Sequence, residues 1–549
     1  MNWRLSLVAC SLLGAAAALG QPPTLTRPSG QGVASENATV TREALQVLQA
    51  GGSAADAAIT AALVAGVTAP TSSGLGGGGF ALLWDAKTRA PWLLDFRETA
   101  PAALDASVLE QRPLAPARMG HLVGVPGEGR GLFELHRRAG KLAWANLVQR
   151  AEKRARQGYL VSPHLGAMLR GSSAATLTQV PGLAALFFPG GKAAAVGVRV
   201  VNLPLAETLK RLAAEGPEAL YGGAIANEIV EVARAHGGTL TLEDMARYQP
   251  IVREVMRLRY EGYDVLTMPL PSAGGLMLAE VLRLFPAEEL RRLGFGTPAY
   301  RHLIAEGLRG AIADRMRYLG DGDHEKVDLN ALLDERRLGQ RRISIALDRT
   351  HALPRFGLEG GGTHHLVTSD RQGNVVSLTT TVNRLFGAKL MAEKSGIVLN
   401  DQLDDFTSVG AVAPFGMTQS PNRPRALARP LSSMTPTLVL SAGLPLLVLG
   451  GSGGPAISQN VVQVLLGSLV FGQEPAAAVA APRIYVPTQN ATLMVETTTS
   501  AADIADLEQR GEIVAKLPFN STAVQVLRFD APRVRGGADP RKHGEALAE

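Results

Sequence analysis

The stretch from Thr363 to Asn383 constrains the fold more than any other part of the chain. Two short β-rich runs, 364–368 and 375–382, flank the turn residues Asp370-Arg371-Gln372-Gly373-Asn374 and read together as a hairpin. Centred on Gln372, that hairpin sets Thr363 opposite Thr381 with both side chains on one face. Adjacent strand residues face opposite ways, so His364 and His365 do not readily share an ion. The 10 histidines include no HxxE, HxH or HExxH spacing, and no metal or other cofactor is expected.

Before the hairpin, residues 41–50 have helical apolar spacing and stop at Gly51-Gly52. Ser53 and Asp56 then open a second, Ala-rich helix to about Val67 as a capping box. Two strand-like runs follow, 80–84 and 92–96. Between helix and strand, Gly74-Leu75-Gly76-Gly77-Gly78-Gly79 formally matches GxGxxG, but a dinucleotide site needs the strand first and the helix second. Close backbone packing is the simpler reading. The middle third, to about Leu347, reads as mainly helical, with amphipathic segments such as 225–235. After the hairpin come strand runs 437–440 and 444–449 and a helix, 458–471. Segment 349–362 ends in Gly360-Gly361-Gly362 and reads as flexible and exposed, where a cut in the chain is tolerated.

Composition narrows the class. A 549-residue chain with 46% hydrophobic residues buries a large core. Its net charge of +6 is scattered, without interleaved aromatics, which argues against a nucleic-acid partner. At the N-terminus, Arg4 precedes an apolar run, 5–19, and Ala18-Leu19-Gly20 offers a cleavage site before Gln21. This is the order and length of an export signal, too short for a comfortable membrane span. The expectation is therefore a periplasmic or secreted protein whose first 20 residues are removed. Cys10, the only cysteine, lies in that signal. Leu7-Val8-Ala9-Cys10 resembles a lipid-attachment box, but using it would cut the apolar run short. Without lipidation the mature chain has no thiol, which excludes disulfides and cysteine catalysis.

By residue type, Thr363 reads as an ordinary β-branched strand residue. Freed at a chain N-terminus, it carries its own general base, an α-amine with pKa near about 8. Which reading holds is decided by a resemblance. Thr363-His364-His365, 370–374, 379–383, Phe386-Gly387, 396–406, 430–437 and 450–454 follow the γ-glutamyltransferase pattern, and so do 51–80, 94–101, 124–127 and 537–542.

The resemblance implies an α+β fold of the N-terminal-nucleophile hydrolase type, a four-layer αββα sandwich made as a precursor. Self-cleavage between Gly362 and Thr363 would leave a large subunit, 21–362, and a small one, 363–549, that stay together. It also implies site roles: Thr363 as nucleophile, Thr381 as partner of its amine, and Gly453 and Gly454 as oxyanion donors. Arg97, Ser432 and Ser433 would hold a substrate α-carboxylate, and Asn383, Gln402 and Asp405 its α-ammonium. The implied substrates are γ-glutamyl compounds such as glutathione, with water, amino acids or dipeptides as acceptors. A same-fold acylase of the cephalosporin or polyglutamate-processing type is the nearest alternative, and an exported, catalytically dead binder a more distant one. The chain departs from the pattern at His364, where the family usually has a second threonine, and at Ser452 and Pro455. Segment 407–430 is long enough to form the family's lid, with Phe415 near its usual aromatic.

Overall fold

The structure is a computed structural model that describes residues 30–351, 362–413, 416–487, 492–518, 521–530 and 532–549. The expected export signal with Cys10, residues 352–361 of the segment expected to be cut, and Phe415 of the expected lid lie outside the described residues.

Two antiparallel sheets form the middle of the molecule. The first has 7 strands in the order Glu545–Ala548, Gly32–Ser35, Gly362–Ser369, Val375–Asn383, Gly78–Asp85, Ala90–Phe96, Ile251–Arg253. The second has 6, in the order Arg533–Ala538, Ala523–Asp530, Leu444–Ser452, Thr437–Ser441, Tyr263–Thr267, Met256–Tyr260. The sheets pack face to face, and helices cover both outer sides: Ala38–Gln49 and Ala54–Thr68 on the first, Gly274–Leu284 and Ala456–Leu469 on the second. This is the expected αββα sandwich.

Burial on both faces explains why the central strands are so apolar. In Gly78–Asp85, Phe80, Leu82 and Trp84 enter the core shared with the second sheet. Ala81 and Leu83 point the other way, into the core under the helices. The helix Ala54–Thr68 is itself buried almost all round, which suits its alanine content. Its expected capping box is present: Ser53 Oγ accepts the Asp56 N–H at 3.1 Å, and the Asp56 carboxylate accepts the Ser53 N–H at 2.9 Å.

The helical reading of the middle third needs one correction. Strands Ile251–Arg253, Met256–Tyr260 and Tyr263–Thr267 break it and supply edges to both sheets. Met256–Tyr260 buries Leu258 and Tyr260 and exposes Arg257 and Arg259, a period of two typical of a half-covered strand.

The long helix Pro298–Tyr318 is tied to the C-terminal part of the chain by buried charge. Arg309 Nη1 donates to Glu512 Oε1 at 3.0 Å, and Arg309 also pairs with Glu306. The His302 ring lies between two acceptors, Glu512 Oε1 at 2.7 Å and the Ala346 carbonyl at 2.9 Å. Both ring nitrogens must donate, so the ring is cationic; burial opposes that charge, but Glu512 and the carbonyl win and raise its pKa. Among the described residues no helix is long and apolar enough to cross a membrane.

Glu512→Gln leaves Arg309 and His302 buried beside a neutral partner. The variant should lose about 3–5 kcal/mol of unfolding free energy, measured by denaturant titration. A loss below about 1 kcal/mol would mean that Glu306 alone suffices for both cations.

Candidate active site

The register of the central hairpin is the expected one, with Thr363 paired to Thr381. Their hydroxyl oxygens are 3.3 Å apart. Thr381 Oγ1 donates to the Gly362 carbonyl at 2.6 Å and accepts the Asn383 N–H at 2.8 Å. Its single proton is committed to Gly362, so towards Thr363 it can only accept. A bulge between Thr381 and Asn383 turns Asn383 to φ 73°, a left-handed conformation that asparagine tolerates.

The glycine run behaves as backbone packing. Helix Ala54–Thr68 precedes it and strand Gly78–Asp85 follows, and a side chain on Gly77 would run into the Thr381 carbonyl. Across the sheets, Gly450 leaves room for the His365 ring. That ring bonds Thr379 Oγ1 at 2.8 Å, and burial pushes its pKa down to about 3. His364 lies near Glu36 instead, at 3.8 Å. Among the described residues no cluster suited to a metal is present.

A small cavity opens in front of Thr363. Its wall contains Thr381, Asn383, Gln402, Asp405, Arg97, Ser432, Ser433 and Gly454. The end of strand Ala90–Phe96, the hairpin, the loops after it and the turn before helix Ala456–Leu469 thus bring together all the residues expected to hold or attack a substrate except Gly453. Gly453 stands one residue back, at φ 117°, in the turn that leads into helix Ala456–Leu469. Pro455 caps that helix and lines the cavity as well. A helix N-terminus beside Thr363 favours negative charge there.

Arg97 is fully committed on one side. Nε donates to the Pro430 carbonyl at 2.7 Å, and Nη2 to Asp405 at 2.5 Å and the Leu431 carbonyl at 3.4 Å. The remaining nitrogen, Nη1, makes none of these bonds to the described residues and is the one placed to meet a ligand. Gln402 Nε2 also donates to Asp405, at 2.7 Å, leaving Gln402 Oε1 buried without a hydrogen-bond partner among the described residues. An orphaned acceptor beside a carboxylate suits a cationic ligand. Arg315 was not singled out in the sequence: it lies in the charged helix Pro298–Tyr318, where arginines are numerous. Its Nη1 donates to Ser433 Oγ at 2.7 Å, so the Ser433 proton is left to point elsewhere. The cavity wall therefore gathers two guanidinium groups, two serine hydroxyls, and amide and carboxylate oxygens, with Arg97 and Asp405 directly paired.

Segment 407–430 is closed at its base by Asn422. Its side chain donates to the Asp405 carbonyl at 2.7 Å and to Thr407 Oγ1 at 3.0 Å, and accepts the Leu431 N–H at 2.9 Å.

Behind Arg97, burial pushes the Glu98 and Glu128 carboxyls up to about 8, each from 4.5, although Arg97 opposes the shift at Glu98 and the Thr380 hydroxyl at Glu128. Asp401 rises to about 7, through burial and then repulsion from Asp404.

Residues 41–549 match the family model described as Gamma-glutamyltranspeptidase. The glutathione hydrolase proenzyme of Pseudomonas aeruginosa is 34% identical over 537 residues, covering 94% of each chain. That of Escherichia coli K12 is 32% identical over 536 residues, covering 94% of this chain and 91% of its own. Among solved structures, a cephalosporin acylase from Bacillus halodurans superposes with a TM-score of 0.84 at 25% identity, covering 98% of this chain and 99% of that one.

The two raised carboxyls give stability a pH dependence of definite sign. Folded Glu98 and Glu128 hold protons that the unfolded chain releases near 4.5, so their contribution is complete below that pH and lost towards about 8. Thermal melts should show Tm falling across that interval. Glu98→Gln with Glu128→Gln should flatten the fall; an unchanged slope would mean that other groups carry it.

Proposed function

Since the chain belongs to the γ-glutamyltranspeptidase family, whose members are enzymes, we propose that it is an exported, self-cleaving γ-glutamyltransferase. In this reading it takes the γ-glutamyl group from glutathione or related compounds and passes it to water, an amino acid or a dipeptide. The observation that carries the proposal is the Thr381 hydroxyl on the Gly362 carbonyl, 2.6 Å away, with the Thr363 hydroxyl beside it. A donor on a carbonyl oxygen draws electrons from its carbon and prepares it for attack. Thr363 Oγ1 adds to the Gly362 carbon, the C–N bond breaks, and an ester forms while the Thr363 nitrogen takes up the proton. Water then hydrolyses that ester. The products are a Gly362 carboxylate, the free Thr363 hydroxyl and its α-amine, with a large subunit, 21–362, and a small subunit, 363–549.

The same hydroxyl next attacks the γ-carbonyl of the substrate, the α-amine taking its proton. The Gly453 and Gly454 N–H groups, before a helix N-terminus, offset the charge on the oxyanion. The amine's proton passes to the leaving nitrogen as the amide breaks, and the acceptor resolves the γ-glutamyl ester by the reverse sequence. The head group matches the two kinds of group in the cavity wall. A carboxylate meets Arg97 Nη1 and the hydroxyls of Ser432 and Ser433, with Arg315 orienting Ser433. An ammonium meets Gln402 Oε1, Asp405 and Asn383. The structural likeness to a cephalosporin acylase favours a second reading, the same chemistry on another acyl group. The orphaned Gln402 oxygen favours a donor that carries an ammonium.

Intact-mass analysis of the exported protein should give two chains, one starting at Thr363-His364-His365 and one lacking about the first 20 residues. Thr363→Ala should remain a single chain without turnover of a γ-glutamyl anilide, and Thr363→Ser should cleave more slowly. An active, uncut Ala variant would sink the mechanism. Arg97→Lys should still mature, but should lose roughly 10- to 150-fold in kcat/KM, about 1.5–3 kcal/mol, mostly through KM. Unchanged donor kinetics would take Arg97 out of the head-group site.

A further inference from the structure

Lys542 is a buried lysine that the mechanism above does not use. It ends the short turn Pro540–Lys542 and is 3% exposed. Its ammonium donates to Ser452 Oγ at 2.7 Å, to Glu36 Oε2 at 3.0 Å and to the carbonyl of Thr363 at 3.1 Å. Three protons meet three acceptors, so the group is held as a cation with its hydrogen-bonding capacity filled. Two of those acceptors belong to the chemistry's own segments. One is the main chain of Thr363 itself; the other precedes the Gly453-Gly454 turn.

We propose that Lys542 is a positioning residue that fixes the Thr363 strand against the Gly453 turn and, through its charge, keeps the Thr363 α-amine unprotonated as a base. This inference rests on Thr363 being the N-terminal nucleophile. The α-amine lies within the same residue as the carbonyl that Lys542 holds, so a second positive charge there is opposed at short range. Like charges at such separations, in a poorly solvated site, shift a pKa by about one unit or more. The Glu36 carboxylate works in the opposite direction, and it is anchored in turn by the His365 N–H at 2.9 Å.

The other titratable groups around this site are His364 and His164, the exposed His543 next in sequence, and Arg97, Arg315 and Asp405 across the cavity. Burial lowers the two buried-side histidines, His164 to about 3, so neither changes charge where an amine base would titrate. The residues across the cavity act equally on every variant described below.

The test is the acidic limb of the kcat/KM–pH profile on a γ-glutamyl anilide, with maturation followed on denaturing gels. Lys542→Met removes the cation and leaves Glu36 alone near the amine, so the limb should move up by about one pH unit. Glu36→Gln leaves the cation uncompensated, and the limb should move down. Lys542→Arg keeps the charge and should keep the limb within about 0.3 units of wild type while kcat falls from the altered fit. Should Lys542→Met stay uncut, Glu36→Gln carries the comparison with the opposite sign. Limbs that coincide in all matured variants, whatever their kcat, would overturn the electrostatic role. A wild-type protein that is itself uncut or inactive would instead overturn the nucleophile on which the inference rests.

Discussion

Everything at the active centre depends on one pairing, that of Gly362–Ser369 with Val375–Asn383 in the middle of the first sheet. Both strands are covered on both faces, so a one-residue slip would drive His365 and Thr379 out of the space between the sheets and Leu366 and Leu378 into it. The register is therefore among the best determined in the molecule. Because Thr363 faces Thr381 within it, the relation of the two hydroxyls to the Gly362 carbonyl is fixed by the whole core rather than by local contacts. The bulge after Thr381 lets this rigid frame end in a polar wall, since it swings Asn383 out of the pairing pattern.

A second set of contacts carries that rigidity from the sheet to the loops that make the cavity. Asn400 is buried, and its side-chain oxygen accepts the N–H groups of Gly124 and Gln402, each at 2.9 Å. Its amide nitrogen donates to the carbonyls of Gly76 and Gly124, at 2.8 and 2.9 Å. One amide thus joins the glycine loop, the 124–127 segment and the loop bearing Gln402 and Asp405. Asp95 does the same for Arg97. It accepts the Arg97 N–H at 2.9 Å and Arg253 Nε at 2.6 Å, so Arg97 leaves its strand at a set angle. These are buried polar groups with their bonds made, the condition under which such groups specify a geometry.

The parts legible in the sequence were those governed by local rules. The capping box at Ser53 and Asp56, the helix it opens, and the hairpin about Gln372 follow from residue types a few positions apart. Sheet order did not, because pairing Gly32–Ser35 with both Gly362–Ser369 and Glu545–Ala548 joins residues hundreds of positions apart. The Met256–Tyr260 strand has a weak local signature: Leu258 and Tyr260 alternate with Arg257 and Arg259, and the arginines mask a short edge strand. At the site, family motifs marked the residues lining the cavity but not how Arg97 divides its donors. That division is set by Pro430 and Asp405, more than 300 positions away. Arg315 and Glu36 had no local signal at all, since a charged residue in a helix or turn usually faces water, and Lys542 was marked only as the end of the matching stretch 537–542, with no role.

Two of the sequence departures noted above, His364 and Ser452, lie on one network, and this constrains what each can be. Ser452 supplies the third acceptor of Lys542; a residue without a hydroxyl there would leave one ammonium proton buried and unmatched. His364 sits 3.8 Å from the Glu36 oxygen that Lys542 also uses, with Nε2 buried and without a partner among the described residues. A protonated His364 would add a second cation to an ion pair that is already balanced, and burial holds the ring neutral. The residue beside Thr363 is thus accommodated as histidine in its uncharged form, and Glu36 must answer Lys542 alone. That one-to-one balance keeps the net charge beneath Thr363 near zero while still setting a cation close to its main chain.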